Sequence, residues 1–237
     1  MNREKLISYS FYCGGEYGEI LKAVREDRDV RCLRIENALT IFDDGYPKEL
    51  LDLKYPPFVL YYKGDLKLLC EEKYAIVGSR DPCAYALKAT EGLARHHKDK
   101  VLVSGLAKGI DACAHRNAEK TIGILGCGID YIYPRCNEDL IRDVAERGLI
   151  LSEYPSLSKP LAFHFPFRNR IIAALSQKVC IMQSRARSGT MTSVNEALEL
   201  GRQICVLPYD IFTEEGVQNN QMIYEGAQPI LREEIAF

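Results

Sequence analysis

Three short stretches of this 237-residue chain join glycine and serine to a cation. They are Gly78-Ser79-Arg80-Asp81-Pro82, Ser104-Gly105-Leu106-Ala107-Lys108-Gly109 and Arg185-Ala186-Arg187-Ser188-Gly189-Thr190. Glycine lets a backbone turn tightly and approach a ligand closely. Each stretch leads into a segment with helical pattern, and a helix start offers free N–H groups and a positive dipole end. One such junction has a purely geometric explanation, since short turns use Gly and Ser anyway. Three together, each with Arg or Lys, point to a site that holds anionic groups.

The charge distribution agrees. Between Glu153 and Glu196 there are 42 positions without an acidic residue, where the chain's average of 33 in 237 would place about six. The same window holds Lys159, Arg168, Arg170, Lys178, Arg185 and Arg187. A chain of net charge −2 therefore concentrates +6 in one window and leaves −8 elsewhere, enough to present a positive face. Aromatics are interleaved with these cations in Phe163-His164-Phe165-Pro166-Phe167-Arg168-Asn169-Arg170. Cations that follow a phosphate backbone and rings that stack on bases are the parts of a single-strand binding surface. Phe163 and Phe167 read as filling the core under the following helix, and Phe165 as pointing the other way. Arg168 and Arg170 are about 200° apart on a helix, so one of them is expected to face structure.

The elements that must carry these loops are visible as a rhythm. Apolar, β-branched runs at 74–77, 101–103, 121–125, 149–151, 179–182 and 204–207 alternate with amphipathic stretches such as 83–98, 109–119, 136–147 and 190–201. Runs too short for helices and apolar on both faces are how parallel strands read when helices cover both sides of a sheet. The alternation predicts α/β architecture with a doubly wound, mostly parallel sheet. Ligands of such sheets bind outside the carboxyl ends of the strands, where the three junctions fall. Before residue 74 the pattern changes. Residues 1–38 read as a short N-terminal helical segment, with one helix at 16–26. Residues 39–73 carry Tyr46-Pro47, Tyr55-Pro56-Pro57 and the run 58–62, and are expected to pack as a small extension on a core domain spanning 39–237.

Composition and motifs exclude several function classes. An apolar share of 47% and a charged share of 27% are those of a globular protein. No apolar run approaches the roughly 20 residues of a membrane helix, and residues 1–5 do not open a secretory signal. The nine cysteines include no CxxC and several lie within apolar runs, which reads as reduced thiols in a cytoplasmic protein. Gly126-Cys127-Gly128 follows a strand, but Tyr131 stands where a dinucleotide fingerprint has its third small residue, and Tyr133-Pro134 suggests a loop. Asp111 and His115, four apart, read as a capping Asp and a hydrogen-bonded His. His96, His97 and His164 have no ligand partners at metal spacing, and no cofactor is expected.

Five motifs, in order, resemble those of the DNA-processing protein A (DprA/Smf) family. They are Ser104-Gly105-Leu106-Ala107-Lys108-Gly109-Ile110-Asp111 with His115, Gly126-Cys127-Gly128-Ile129-Asp130 with Tyr133-Pro134, Ser152-Glu153-Tyr154-Pro155, Phe165 to Ser176, and Arg187-Ser188-Gly189-Thr190. Gly78-Ser79-Arg80 fits as well, and the resemblance covers about residues 39–230. It implies an extended Rossmann-like fold, sequence-independent binding of single-stranded DNA, protection of incoming strands in natural transformation, help in loading the RecA recombinase, and a homodimer. Carried over by position, the DNA pocket comprises Gly78, Ser79, Arg80, Ser104, Gly105, Lys108, Asn169 and Arg170. Lys159, Phe165, Arg187, Ser188 and Gly189 complete it by the same resemblance. Gln183 departs from the family, which often has Glu there.

The rival is an enzyme. Phosphoribohydrolases of nucleoside monophosphates use a related sheet and a PGGxGT-x-x-E loop, and here Ser193 stands where their acid would be, with Glu196 and Glu199 one and two turns further on. The expectation is therefore a binding protein without catalysis. A scaffold that meets an acidic protein through the basic face is a third reading, against which the interleaved aromatics argue.

Overall fold

The computed structural model describes residues 1–156, 158–185 and 188–231. The six apolar runs form parallel strands β3 (Lys73–Val77), β4 (Val101–Ser104), β5 (Lys120–Leu125), β6 (Leu149–Ser152), β7 (Lys178–Ile181) and β8 (Gln203–Val206). A short β9 (Gln228–Pro229) adds parallel to β8. Helices α3 (Ala84–His96), α4 (Ile110–Asn117), α5 (Glu138–Arg147), α6 (His164–Leu175) and α7 (Gly189–Glu199) cross between the strands, and α8 (Val217–Tyr224) precedes β9. Alternate strand residues feed the two faces. Ala75, Val77, Val103 and Val179 pack with Ile171, Ile172 and Ala173 of α6 and Val194 and Ala197 of α7. Tyr74, Ile76, Leu102 and Cys180 pack with Leu93 of α3 and Ala114 of α4. None of the nine cysteines forms a disulfide, and Cys127, Cys180 and Cys205 are buried.

Residues 39–73 pack on the core, with Tyr46, Leu50, Leu53, Leu68 and Leu69 in one cluster with Ile171 and Ile172 of α6, and they also extend the sheet. The aromatic run forms β2 (Val59–Gly64), which pairs antiparallel with β6 and carries β1 (Ala38–Thr40) at its outer edge. Two helices precede them, α1 (Arg3–Tyr12) and α2 (Tyr17–Arg25), and only the second was legible as a helix. Residues 3–12 have almost no helical amphipathicity because Ser8 and Ser10 are buried beside Leu6, Ile7 and Tyr9. Their hydroxyls are used inside, Ser8 Oγ accepting from Leu33 N–H at 2.8 Å and Ser10 Oγ accepting from Tyr61 O–H at 3.0 Å.

The strand order is β1-β2-β6-β5-β4-β3-β7-β8-β9. From β3 the chain adds strands to one side, then returns through α6 to place β7 on the other side. The loops after β3 and β7 thus leave in opposite directions and open a crevice between them, the switch point where ligands of such sheets bind. Among the described residues no helix is long and apolar enough to cross a membrane.

Candidate nucleic-acid interface

The loop after β3 is shaped by its contact with the start of α4. A Cβ at Gly78 would come within 2.8 Å of Ile110 Cγ1, so only glycine fits without displacement. Ser79 O accepts from Ile110 N–H at 3.1 Å, and Ser79 Oγ accepts from Asp81 N–H at 3.1 Å. These bonds turn the chain and leave Arg80 exposed, with its guanidinium 5.7 Å from the centre of the Phe165 ring.

The loop after β4 is braced from below. Ser104 Oγ donates to Ile76 O at 2.6 Å and is fully buried, tying the ends of β3 and β4 together. At Gly105 the Arg168 guanidinium occupies the space a Cβ would need. Leu106 is buried with φ +55°, and Asn137 Nδ2 donates to both Leu106 O and Ala107 O at 3.0 Å. The Asp111 carboxylate accepts from Gly105 N–H at 3.1 Å and Ala107 N–H at 3.4 Å. With its neighbours fixed, Lys108 projects into solvent at the loop tip.

The loop after β7 is held by α6 and α8. Ser184 N–H donates to Asn219 Oδ1 at 2.8 Å, the Ser184 and Ser188 hydroxyls lie 3.1 Å apart, and Asn169 Nδ2 donates to Gly189 O at 3.1 Å. Helix α7 opens at Gly189 without a side-chain cap. Its free N–H groups and dipole are available to an anion.

These loops enclose a cleft of about 520 Å³ lined by Gly78, Ser79, Arg80, Phe165, Asn169, Ser188 and Gly189, among others. A smaller hollow of about 260 Å³ adjoins it and is lined by Arg80, Gly105, Lys108, Gly126, Tyr133 and Phe165. Phe165 stands between the two. Gly126 makes room for it, since a Cβ there would lie 2.8 Å from the ring. The floor is charged. Burial pushes the Asp111 carboxyl up from the usual range against the pull of the Arg168 guanidinium. Burial likewise lowers Arg168 to about 10, with Asp111 opposing. Arg168 donates to Ile124 O, whereas its Nε has no partner within the protein.

Nine of the thirteen sequence-derived site residues are thus brought together: Gly78, Ser79, Arg80, Gly105, Lys108, Phe165, Asn169, Ser188 and Gly189. Ser104 is a buried strut beneath them. Lys159 is exposed on the loop after β6 and lines neither hollow. Arg187 lies outside the described residues. Arg170 needs correction. The residue is 2% exposed, and its guanidinium grips both Glu153 carboxylate oxygens at 2.6 and 2.7 Å and donates to Tyr55 O and Phe167 O. It joins α6 to the sheet and the N-terminal extension, so no guanidinium face is left for phosphate. Arg168 is buried too, so both arginines face structure. Phe167 packs with Arg170, Tyr17 and Tyr55, but Phe163 is 57% exposed rather than core. His115 bonds Thr121 Oγ1 at 2.5 Å and is no partner of Asp111. Tyr133, outside the sequence-derived site, also lines the larger cleft, as does Arg185 from the third glycine-serine stretch. The Tyr133-Pro134 pair, read as a loop following the Gly126-Cys127-Gly128 turn, was the available signal for the first.

The family model described as DNA recombination-mediator protein A matches residues 37–236. The chain belongs to that family. DNA processing protein DprA of Streptococcus pneumoniae is 39% identical over 196 residues, covering 81% of this chain and 70% of that protein. DNA processing protein DprA of Bacillus subtilis is 38% identical over 208 residues, covering 85% and 70%. Among solved structures, DNA processing protein A from S. pneumoniae superposes with a TM-score of 0.82 at 31% identity, over 97% of this chain and 94% of that one. The Helicobacter pylori family member, solved for its single-stranded DNA binding mode, gives 0.78 at 38% identity over 84% and 93%. Ser104, Gly105, Gly109 and Asp111 build the loop after β4, and Lys108 is the residue that loop presents.

Proposed function

We propose that this protein binds single-stranded DNA without sequence preference in the cleft at the switch point. The observation that carries the reading is Phe165, a partly exposed ring set between the cations Arg80 and Lys108 and the uncapped start of α7. A ring takes any base because every base has a π-face, and cations and free N–H groups take the phosphates regardless of sequence. A closed duplex hides its base faces and cannot use the ring. The H. pylori relative's single-stranded DNA binding mode supports the same assignment here.

The cellular role we propose is protection of incoming strands and delivery of them to the RecA recombinase in the cytoplasm, with the protein acting as a homodimer. No catalytic step is proposed. Asp111 is the acidic side chain that lines the cleft among the described residues, and its carboxylate is spent on two loop N–H groups. Ser193 lines the cleft in place of a carboxylate, and Glu196 and Glu199 do not reach it. Fluorescence anisotropy with a labelled single-stranded oligonucleotide, challenged by unlabelled strand, duplex and AMP, tests the binding claim. Single strand should compete at far lower concentration than duplex, and AMP should return no free base. RecA filament nucleation on strands carrying this protein, and its sedimentation in solution, test the two partner claims.

A further inference from the structure

We propose that Tyr133 is a second base-stacking residue, so that Tyr133 and Phe165 receive two consecutive bases of one strand. The proposal rests on the single-strand reading above. Tyr133 is 40% exposed, and its ring centroid lies 5.3 Å from that of Phe165 with the planes tilted by 41°. It borders both the large cleft and the adjoining hollow, the two spaces a strand would cross in passing from Arg80 to Lys108.

Three features separate this pair from ordinary core packing. Tyr133 is exposed and Phe165 half-buried, whereas Tyr9, Tyr61 and Tyr74 are almost fully withdrawn. Arg80 lies 5.7 Å and Tyr133 5.3 Å from the centre of the Phe165 ring, so a cation and two rings share one stretch of the cleft wall. The loop that carries Tyr133 is fixed at both sides, by Tyr131 N–H to Gly128 O at 2.9 Å and by Asn137 N–H to Pro134 O at 3.0 Å. A ring on a fixed loop loses little freedom on binding. Stacked bases of one strand advance about 3.4 Å each, and an unstacked strand stretches further. A 5.3 Å step between ring centres therefore suits neighbouring nucleotides rather than alternate ones.

The chain has no tryptophan, so Tyr133→Trp supplies a single reporter at the proposed position. Its emission should be strongly quenched as a thymidine oligonucleotide saturates the protein. Tyr133→Leu should weaken binding roughly 5- to 150-fold, the range of one lost base–ring stack, while Tyr133→Phe binds as wild type. Wild-type affinity in Tyr133→Leu would overturn the proposal. So would a weakened Tyr133→Leu with an unquenched tryptophan, because Tyr133 would then only brace Phe165. If Tyr133→Trp does not fold, the Leu and Phe variants still decide. Loss in Leu without loss in Phe, persisting in a Phe165→Leu background, supports a stacking ring, whereas equal affinity, or a loss that vanishes in that background, rejects it. Binding is measured independently by anisotropy of the wild type. No wild-type binding overturns both this proposal and the functional reading, whereas wild-type binding with an unaffected Tyr133→Leu overturns this proposal alone.

Discussion

The Arg170 guanidinium and the Glu153 carboxylate meet as a bidentate pair in the protein interior, at 2.6 and 2.7 Å, with side chains only 3% and 5% exposed. The pair clamps α6 to the end of β6, and Arg170 also reaches Tyr55 O in the N-terminal extension. Removing one partner strands the other charge in a poorly solvated place. Arg170→Ala should therefore cost about 3–5 kcal/mol of stability and lower Tm by on the order of 10 °C. Denaturant unfolding of the variant beside wild type checks this, and an unchanged midpoint would return Arg170 to the list of free cations.

Arg80 and Lys108 stand in the opposite situation. Both are exposed and rest on loops whose shape comes from other residues. Arg80→Ala and Lys108→Ala should each leave stability within about 0.5 kcal/mol, as surface substitutions do, while weakening DNA binding several-fold. Thermal melts and anisotropy on the same preparations separate the two effects.

Gly105 backs directly onto the guanidinium of Arg168. Gly105→Ala forces that buried group or the loop to move and should cost roughly 1–3 kcal/mol. Because the same loop presents Lys108, the affinity loss should exceed that of Gly105's own contacts. Unfolding and binding measured together should show both falling, in contrast to Lys108→Ala.

His115 gives a pH signature. Burial holds its imidazole down to about 3, with the nearby Arg147 charge acting in the same direction, against an ordinary value of 6.5. The unfolded chain takes up a proton below 6.5 that the folded chain refuses until far lower pH. Stability from this group is therefore fully present above about pH 6.5 and falls as the solution is acidified toward 3. The loss between pH 7.5 and 5 should be about 2 kcal/mol. Urea midpoints at the two pH values test it, with His115→Gln expected to reduce the difference.

The sheet was legible because its core strands are short, apolar on both faces and separated by helical stretches, a pattern few other folds produce. The loops were legible for a related reason, since Gly78 and Gly105 stand where no side chain fits and Arg80 and Lys108 are the cations left between them. Other features depended on tertiary partners that local pattern does not name. Arg170 reads like any cation until Glu153 is placed beside it, and α1 reads as mixed until Ser8 and Ser10 find acceptors and donors inside. Phe163, Phe165 and Phe167 look alike in sequence, yet the first is mostly exposed, the second lines the cleft and the third packs with Tyr17 and Tyr55.

The central claim is that one cleft neutralises a few phosphates while a ring holds a base, and the salt dependence of single-strand affinity reads both at once. Three or four neutralised phosphates should give a slope of log affinity against log salt of about −2 to −3, at roughly −0.7 per phosphate. Arg80→Ala should make that slope shallower by about one contact. Phe165→Leu should lower affinity by about 1–3 kcal/mol and leave the slope unchanged, because stacking releases no counterions. A wild-type slope near zero, or a Phe165→Leu protein with undiminished affinity, would contradict the account.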